Sequence, residues 1–342
     1  MELHFTRTNG PADDAIDALI SLVGDVRHAD MVREIILAGL KSGQEIRNRA
    51  DMKLMSSTLK EMRFTTRIFA PYEEIKKVTV FGSARTKPEE PIYQMARLFG
   101  RKLSDAGYMV ITGGGPGIMQ AVNEGAGNEH SFGVNIRLPF EQKPNPVIED
   151  SPRTINYKYF FNRKVAFLKE GDAIVLFPGG FGTLDEAMET LTLIQTGKHN
   201  PMPLVLLDES GGTYWARWLG FLEKELLGRG YISSTDLHLF DMTDSVEEAV
   251  RKIDHFYRRY HSIRYVGNRL AIRLSSPMPP QRAEHLKEEF SDILRPPGEL
   301  FFSKALPEEE DEPGIAHLPR LVLDFNRKDF SRLHRLIDRL ND

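Results

Sequence analysis

The chain has no cysteine among its 342 residues, which excludes disulfide bonds, thiol catalysis and metal sites with cysteine ligands. It also has no apolar run approaching the ~18 residues that a membrane-spanning helix needs, and no signal-peptide pattern at its start. A net charge of −4 argues against a large nucleic-acid surface, and the ten histidines are scattered without a metal-binding spacing. We therefore expect a cytoplasmic protein whose partners do not include nucleic acid, membrane or metal.

Glycine is concentrated where a predicted strand ends. The segment Phe177-Pro-Gly-Gly-Phe-Gly-Thr-Leu-Asp-Glu186 follows an apolar strand over Ala173–Phe177 and places three glycines before a helical pattern. Glycine lets the backbone approach a ligand closely, and the free N–H groups at a helix start suit a phosphate. Anion binding does not require the two carboxylates of Asp185 and Glu186, so they suggest chemistry beside the phosphate, on a sugar carbon.

Two other strand ends carry similar turns. Tyr108–Ile111 reads as a buried strand before Thr112-Gly-Gly-Gly-Pro-Gly117, and Val78–Phe81 precedes Gly82 and Ser83. Such turns meet at the carboxyl edge of a parallel sheet, where open α/β folds bind ligands. None of them matches the dinucleotide pattern G-x-G-x-x-G, and no acidic residue follows at the required spacing. Tight turns without any ligand are the structural alternative.

Three segments of the chain differ in pattern. Residues 1–75 carry helical periodicity, with an apolar stripe that we expect to pack on the main domain or on a second subunit. Residues 76–260 alternate strands with helices, which predicts an α/β domain with a doubly wound parallel sheet. Residues 261–342 read as strand-helix-strand-strand-helix, a small α+β unit that is either an interface or a ligand sensor. The acidic segment Pro307–Pro313 within it predicts a solvated loop.

The central domain has five predicted strands and a helix of particular interest. The strands are Val78–Phe81, Met109–Ile111, Phe132–Ile136, Ala173–Phe177 and Leu204–Leu207, and the last helix is Val246–Tyr260. A predicted helix over Tyr157–Lys169 puts Phe161, Val165 and Leu168 on one face. Arg163 falls on another face, where its planar cation could reach a ligand. A solvated helix face is the alternative.

Three motifs together resemble the "lonely guy" (LOG) family: Gly113-Gly-Gly-Pro-Gly-Ile-Met119, Phe161-Asn-Arg-Lys164 and Pro178-Gly-Gly-Phe-Gly-Thr-Leu-Asp-Glu186. The segment Leu138-Pro-Phe-Glu-Gln-Lys-Pro-Asn145 resembles its bacterial branch. The resemblance spans about Lys77–Tyr260. It implies a Rossmann-like fold, a homodimer or larger homo-oligomer, and no metal or redox cofactor. LOG proteins are phosphoribohydrolases that activate cytokinins, with bacterial relatives that cleave nucleoside 5′-monophosphates.

Matching motif positions assigns expected roles. Arg163 and Glu186 resemble the catalytic pair of the family. The positions that resemble its substrate contacts are Glu141, Lys164, Gly180, Phe181, Gly182, Thr183, Leu184, Asp185 and Thr192. Gly179 completes the phosphate turn, and Ser83, Gly114, Gly115 and Met119 are expected to line the rest of the crevice, with Met119 against the base. Asp185 stands where many plant members have glutamate, and the segments outside 77–260 lie outside the family pattern.

The leading hypothesis is hydrolysis of the N-glycosidic bond of a nucleoside 5′-monophosphate, AMP-like or a cytokinin riboside monophosphate, to free base and ribose 5-phosphate. Glu186 would stabilise an oxocarbenium-like transition state, orient water or hold the ribose hydroxyls. Arg163 would hold the ribose or phosphate and keep Glu186 ionised. The alternatives are a non-catalytic nucleotide-binding regulator and a nucleotide-sugar or dinucleotide enzyme. Lysine decarboxylase, a label sometimes attached to this family, has no support, because no sequence context positions a Schiff-base lysine.

Overall fold

The computed structural model describes residues 1–137, 143–296 and 298–342. They form two compact units, Met1–Phe64 and Thr65–Asp342. The first unit contains α1 (Pro11–Val23), α2 (Ala29–Glu45) and most of α3 (Arg49–Phe69), in agreement with its helical periodicity. Within the described ranges, no helix is both long and apolar enough to cross a membrane. The division of the larger unit near residue 260 stays a prediction.

A seven-stranded parallel sheet lies at the centre of residues 65–342. Its strands are β1 (Lys77–Phe81), β2 (Met109–Thr112), β3 (Ser131–Ile136), β4 (Thr154–Tyr157), β5 (Ala173–Leu176), β6 (Leu204–Leu207) and β7 (Asp241–Thr243). They lie in the order β4-β3-β2-β1-β5-β6-β7. The five strands predicted from the sequence are present, and the two edge strands, β4 and β7, are additional.

Helices cover both faces of this sheet. They are α4 (Pro91–Asp105), α5 (Ile118–Ala126), α6 (Phe160–Glu170), α7 (Phe181–Gln195), α8 (Tyr214–Phe221) and α9 (Val246–Phe256). Alternate residues of a strand point to opposite faces. Val78 and Val80 therefore pack with α4, α5 and α9, whereas Phe81 packs with α6 and α7. The result is the doubly wound, Rossmann-like α/β fold that was expected.

The C-terminal part forms a four-stranded antiparallel sheet in the order β10-β11-β9-β8. Its strands are β8 (Tyr260–Val266), β9 (Arg269–Leu274), β10 (Leu300–Ser303) and β11 (Arg320–Leu323), and α10 (Gln281–Glu289) and α11 (Phe330–Asn341) share its apolar core. Strand β8 begins where the sequence predicts the last turn of a helix, because α9 ends at Phe256. The unit therefore has one strand more than the predicted strand-helix-strand-strand-helix order.

The acidic segment Pro307–Pro313 is largely exposed, as its composition predicts, but Glu309 is an exception. Glu309 is only 3% exposed, and its carboxylate accepts hydrogen bonds from Arg273 of β9 at 2.7 Å and from Arg320 of β11 at 3.2 Å. Both arginines are buried as well. Charges can be buried when ion pairs and hydrogen bonds compensate their lost hydration. These contacts hold the acidic segment against the sheet.

Candidate functional site

The sheet order brings the ends of β1 and β5 side by side. The chain leaves β1 towards β2 and leaves β5 towards β6, so a crevice opens between the two strand ends, where doubly wound folds bind ligands. The backbone N–H of Ser83 donates to the carbonyl of Pro178 at 3.0 Å, and the Ser83 carbonyl accepts from the Ile118 N–H at 3.0 Å. The three predicted turns are thus hydrogen-bonded to one another.

A network of amides supports the turn that follows β2. Gly114 has a positive φ of 71°, a conformation that favours glycine, and its carbonyl accepts from the backbone N–H of Asn145 at 2.8 Å. The side chain of Asn145 donates to Asn123 at 3.0 Å, and the Thr112 hydroxyl donates to the same Asn123 oxygen at 2.8 Å. Sequence reasoning missed Asn123 and Asn145. Asn123 could have been found from its position, because it is a polar residue on the apolar face of α5.

Arg163 lies on α6 with its guanidinium beside this turn. Its Nε donates to the carbonyl of Val134 at 2.8 Å, and its guanidinium lies over the Phe167 ring at 5.0 Å. A Cβ at position 113 would lie 2.4 Å from Arg163 Nη2, so glycine at this position makes room for the arginine. Burial lowers the pKa of Arg163 and the carboxylate of Glu186 opposes that effect. An arginine keeps its charge under such shifts.

A cavity of about 230 Å³ lies in front of Arg163. The predicted site residues that line it are Gly114, Gly115, Met119 and Arg163. Asn135 of β3 also lines it, and sequence reasoning did not single out this residue. The cavity combines backbone groups, a cation and an apolar side chain, which is the mixture that small-molecule sites use.

Glu186 lies in the second turn of α7 and is 7% exposed. Among the described residues, no hydrogen bond or ion pair reaches its carboxylate; the nearby lysine pairs with its neighbours instead. Burial raises the pKa of Glu186 to about 7, although the positive charges of Lys164 and Arg163 lower it. A buried carboxyl group that titrates near neutrality is typical of catalytic sites.

Lys164 connects α6 to α7. Its ammonium lies 2.9 Å from an oxygen of Asp185 and 2.6 Å from an oxygen of Glu189. Burial alone would lower the pKa of Lys164, but hydrogen bonds to Glu189 and Asp185 raise it. Lys164 and Asp185, two of the predicted substrate contacts, are therefore paired with each other beside Glu186.

The turn Gly179–Thr183 leads into α7, whose 15 residues begin at Phe181. Among the described residues, no side chain caps this helix start. The N–H groups of Thr183 and Leu184 donate to the Gly180 carbonyl, which leaves those of Phe181 and Gly182 for an anion. A Cβ at position 179 would lie 2.2 Å from the Thr183 hydroxyl and 3.0 Å from the Ser83 nitrogen, so the turn packs tightly against the loop after β1. The Tyr214 hydroxyl donates to the Gly179 carbonyl at 2.6 Å. No sequence motif pointed to Tyr214.

A larger cavity, of about 770 Å³, lies beside the same turn. Ser83, Gly179 and Leu184 line it, together with Tyr214. Gly180, Phe181 and Gly182 are exposed, and Phe181 is 95% exposed. Two cavities therefore border the site, one on each side of the β1 and β5 strand ends.

Two predicted contacts do not join this group. Thr192 lies about three turns from the first residue of α7, Phe181. Its hydroxyl donates to the Met188 carbonyl at 2.7 Å, and it lines a separate apolar cavity of about 110 Å³. Glu141 falls outside the described residues. Among the residues that are described, no three His, Asp or Glu side chains converge as metal ligands would.

Known proteins are similar to part of this chain. The model of a family described as "Possible lysine decarboxylase" matches residues 119–253. The cytokinin riboside 5′-monophosphate phosphoribohydrolase LOG1 of Arabidopsis thaliana is 27% identical over 194 residues, which cover 56% of this chain and 88% of that protein. Over this part, the chain is similar to the LOG family.

Other LOG proteins are similar to about half of this chain. The cytokinin riboside 5′-monophosphate phosphoribohydrolase LOG of Oryza sativa subsp. japonica is 29% identical over 192 residues, which cover 54% of this chain and 75% of that protein. Among solved structures, the structural genomics target TM1055 is 26% identical and covers 53% of this chain and 99% of its own, with a TM-score of 0.39. The N-terminal helices and the C-terminal sheet lie outside residues 119–253, which the family model matches.

Proposed function

We propose that this protein is a phosphoribohydrolase of the LOG family that cleaves the N-glycosidic bond of a nucleoside 5′-monophosphate. The observation that carries the proposal is Glu186, a buried carboxyl group that has no direct partner among the described residues and lies on the helix whose N-terminus can bind a phosphate. A protein that only bound nucleotides would gain nothing from a buried, uncompensated carboxylate beside the sugar. The curated names of its plant relatives, which are phosphoribohydrolases, support the proposal.

In this mechanism the turn Gly179–Thr183 binds the 5′-phosphate through the N–H groups at the start of α7. Phosphate binding orients the ribose, so contacts remote from C1′ help to lower the barrier there. The water oxygen bonds to C1′, the C1′–N bond breaks, and the bond electrons and a water proton pass to the base. Positive charge develops on the sugar, and the ionised Glu186 carboxylate stabilises it.

Arg163 supplies the complementary contacts. Within the described residues, Nε is the guanidinium nitrogen that donates to the protein, so the two terminal amino groups are left for ribose or phosphate oxygens. The 230 Å³ cavity beside Arg163 would take the base, with Met119 against its face. The base that we propose for this cavity is a purine, of AMP or of a cytokinin riboside monophosphate. The substrate contacts of Glu141 and Thr192 stay predictions.

The decarboxylase activity in the family description is not supported by Lys164. A lysine that forms a Schiff base must first lose its proton. Asp185 and Glu189 hold the Lys164 ammonium and, against the effect of burial, raise its pKa. This environment stabilises the protonated lysine, which is the unreactive form.

We also propose that the protein assembles as a homodimer or larger homo-oligomer through α6 and α7. These neighbouring helices, joined by Lys164, carry five exposed apolar residues: Phe160, Phe161, Val165, Phe181 and Met188. A cluster of exposed aromatic and aliphatic side chains is characteristic of protein interfaces. A cytoplasmic location stays a prediction.

The test is to incubate the protein with a panel of nucleoside 5′-monophosphates and to measure the released base. We expect base release from at least one purine monophosphate, and adenosine should be a much poorer substrate than AMP because it lacks the phosphate. Glu186→Gln should lower turnover by about 10²-fold or more while nucleotide binding survives. Tight nucleotide binding without base release from any monophosphate would favour the alternative function, a non-catalytic regulator.

A further inference from the structure

Lys164 has an unusual position for a residue expected to contact the substrate. Its side chain is 19% exposed, and its ammonium is held between Asp185 and Glu189. These two carboxylates are four residues apart on α7, so they lie on one side of the helix, next to Glu186 in the sequence and in space. The lysine therefore meets α7 beside Glu186, one turn away from the exposed N–H groups at Phe181 and Gly182.

In the part of the chain that the structure describes, Glu186 has no direct partner to compensate its charge. Its neighbours Asp185 and Glu189 are themselves negative, so an ionised Glu186 would be the third carboxylate within one turn of α7. Lys164 is the cation in contact with this cluster, and Arg163 is hydrogen-bonded elsewhere, to the carbonyl of Val134. Interactions between charges are strong at buried positions because solvent screens them weakly.

The phosphate does not require Lys164. The uncapped start of α7 already offers backbone N–H groups and the positive end of the helix dipole. To reach a phosphate, the Lys164 ammonium would have to leave two carboxylates, at 2.9 and 2.6 Å, with which it already makes charge-assisted contacts.

We infer that Lys164 is a positioning residue: clamped by Asp185 and Glu189, its ammonium supplies the positive charge that Glu186 lacks from a direct partner and fixes α6 against the first turns of α7. This inference rests on the proposed function, because it assigns Lys164 a role in the reaction of Glu186. It predicts that Lys164 acts on the pH dependence of turnover and has little effect on phosphate affinity. A lysine that bound the phosphate would instead change the phosphate affinity and have little effect on the pH dependence of turnover.

The test compares Lys164→Gln with Lys164→Arg and with the control Lys169→Gln, an exposed lysine on the same helix. The measurement is kcat/KM for the nucleotide across pH 5 to 10. In Lys164→Gln, the acidic limb of the profile should move up by about 1 pH unit or more, since removing a nearby opposite charge has that effect. The KM should change less than about threefold at high pH, and Lys164→Arg should restore the wild-type limb. A large increase in KM with an unmoved limb would overturn the inference.

Glu189→Gln keeps the inference falsifiable if Lys164→Gln does not fold. Removing this neighbouring negative charge should move the acidic limb down, in the opposite direction to Lys164→Gln. An unmoved limb in Glu189→Gln would also count against the inference. A readout independent of activity is the pKa of Glu186 itself, from carboxyl NMR of ¹³C-labelled protein assigned with Glu186→Gln. If no substrate is cleaved, the proposed function fails, whereas an unchanged Glu186 pKa in Lys164→Gln defeats the role of Lys164 alone.

Discussion

Replacing Gly113 by alanine should inactivate the proposed enzyme without unfolding it. The added Cβ would lie 2.4 Å from Arg163 Nη2 and 2.8 Å from the Met119 sulfur, where ordinary contacts begin at 3.4 Å. The guanidinium must therefore retreat by about 1 Å, and a misplacement of about 1 Å in a catalytic group can lower the rate by ~10²-fold. Gly113 has no positive φ, so the backbone accepts alanine without strain.

The free energy of unfolding of Gly113→Ala should stay within about 1 kcal/mol of wild type. Alanine restricts the unfolded chain, and the atoms that must move, Arg163 Nη2 and Met119 Sδ, lie at or near the ends of flexible side chains. Base release and thermal unfolding are measured on the same samples. Gly220→Ala is the matched control, because a Cβ at that position meets nothing within 4 Å. A Gly113→Ala protein with wild-type turnover would show that the observed place of Arg163 is not needed for the reaction.

Two further predictions concern stability. Glu309→Gln leaves two buried arginines without their full counter-charge. It should lower the free energy of unfolding, measured by urea titration, by about 3–5 kcal/mol, as removal of one partner of a buried ion pair does. The control Glu308→Gln, at an exposed neighbouring position, should lower it by less than about 0.5 kcal/mol. His334 is buried, which alone would lower its pKa, but Asp338 and the Met202 carbonyl raise it above its usual value. Its stabilising contribution should therefore be complete below about pH 6.5 and be lost as the pH rises through the folded-state pKa, so the melting temperatures of wild type and His334→Gln should converge with increasing pH between 6 and 9.

Strands that are buried on both faces are easy to predict from the sequence, whereas strands at the edge of the sheet are hard to predict. β5 is a continuous apolar run, and its four residues are all buried, so its pattern is unambiguous. β4 alternates between buried and exposed residues and leads almost directly into α6, so Tyr157 reads as part of a helix. β8 could have been found from Gly267-Asn268, a two-residue turn of the kind that joins hairpin strands.

The glycine turns of the candidate site could be predicted because they are local motifs, whereas Asn135 and Tyr214 carry no such motif. Burial and charge pairing are not local. The pKa of Glu186 depends on how α6 covers α7, and the pairing of Lys164 with Asp185 depends on the packing of those helices. Glu309 is buried against Arg320 and against Arg273, which lies 36 residues earlier in the chain. The acidic composition of this segment does not predict a partner so far away in the sequence.

Ser83 links the two glycine turns through its own backbone, donating to Pro178 and accepting from Ile118. Among the residues that the structure describes, a ligand fragment that occupies one turn therefore meets the other turn already in its final place. This favours inhibitors built by joining fragments. An anionic fragment at the start of α7 and an aromatic fragment beside Met119, each weak alone, should combine through a short rigid linker with little loss, since the protein already fixes the distance between them.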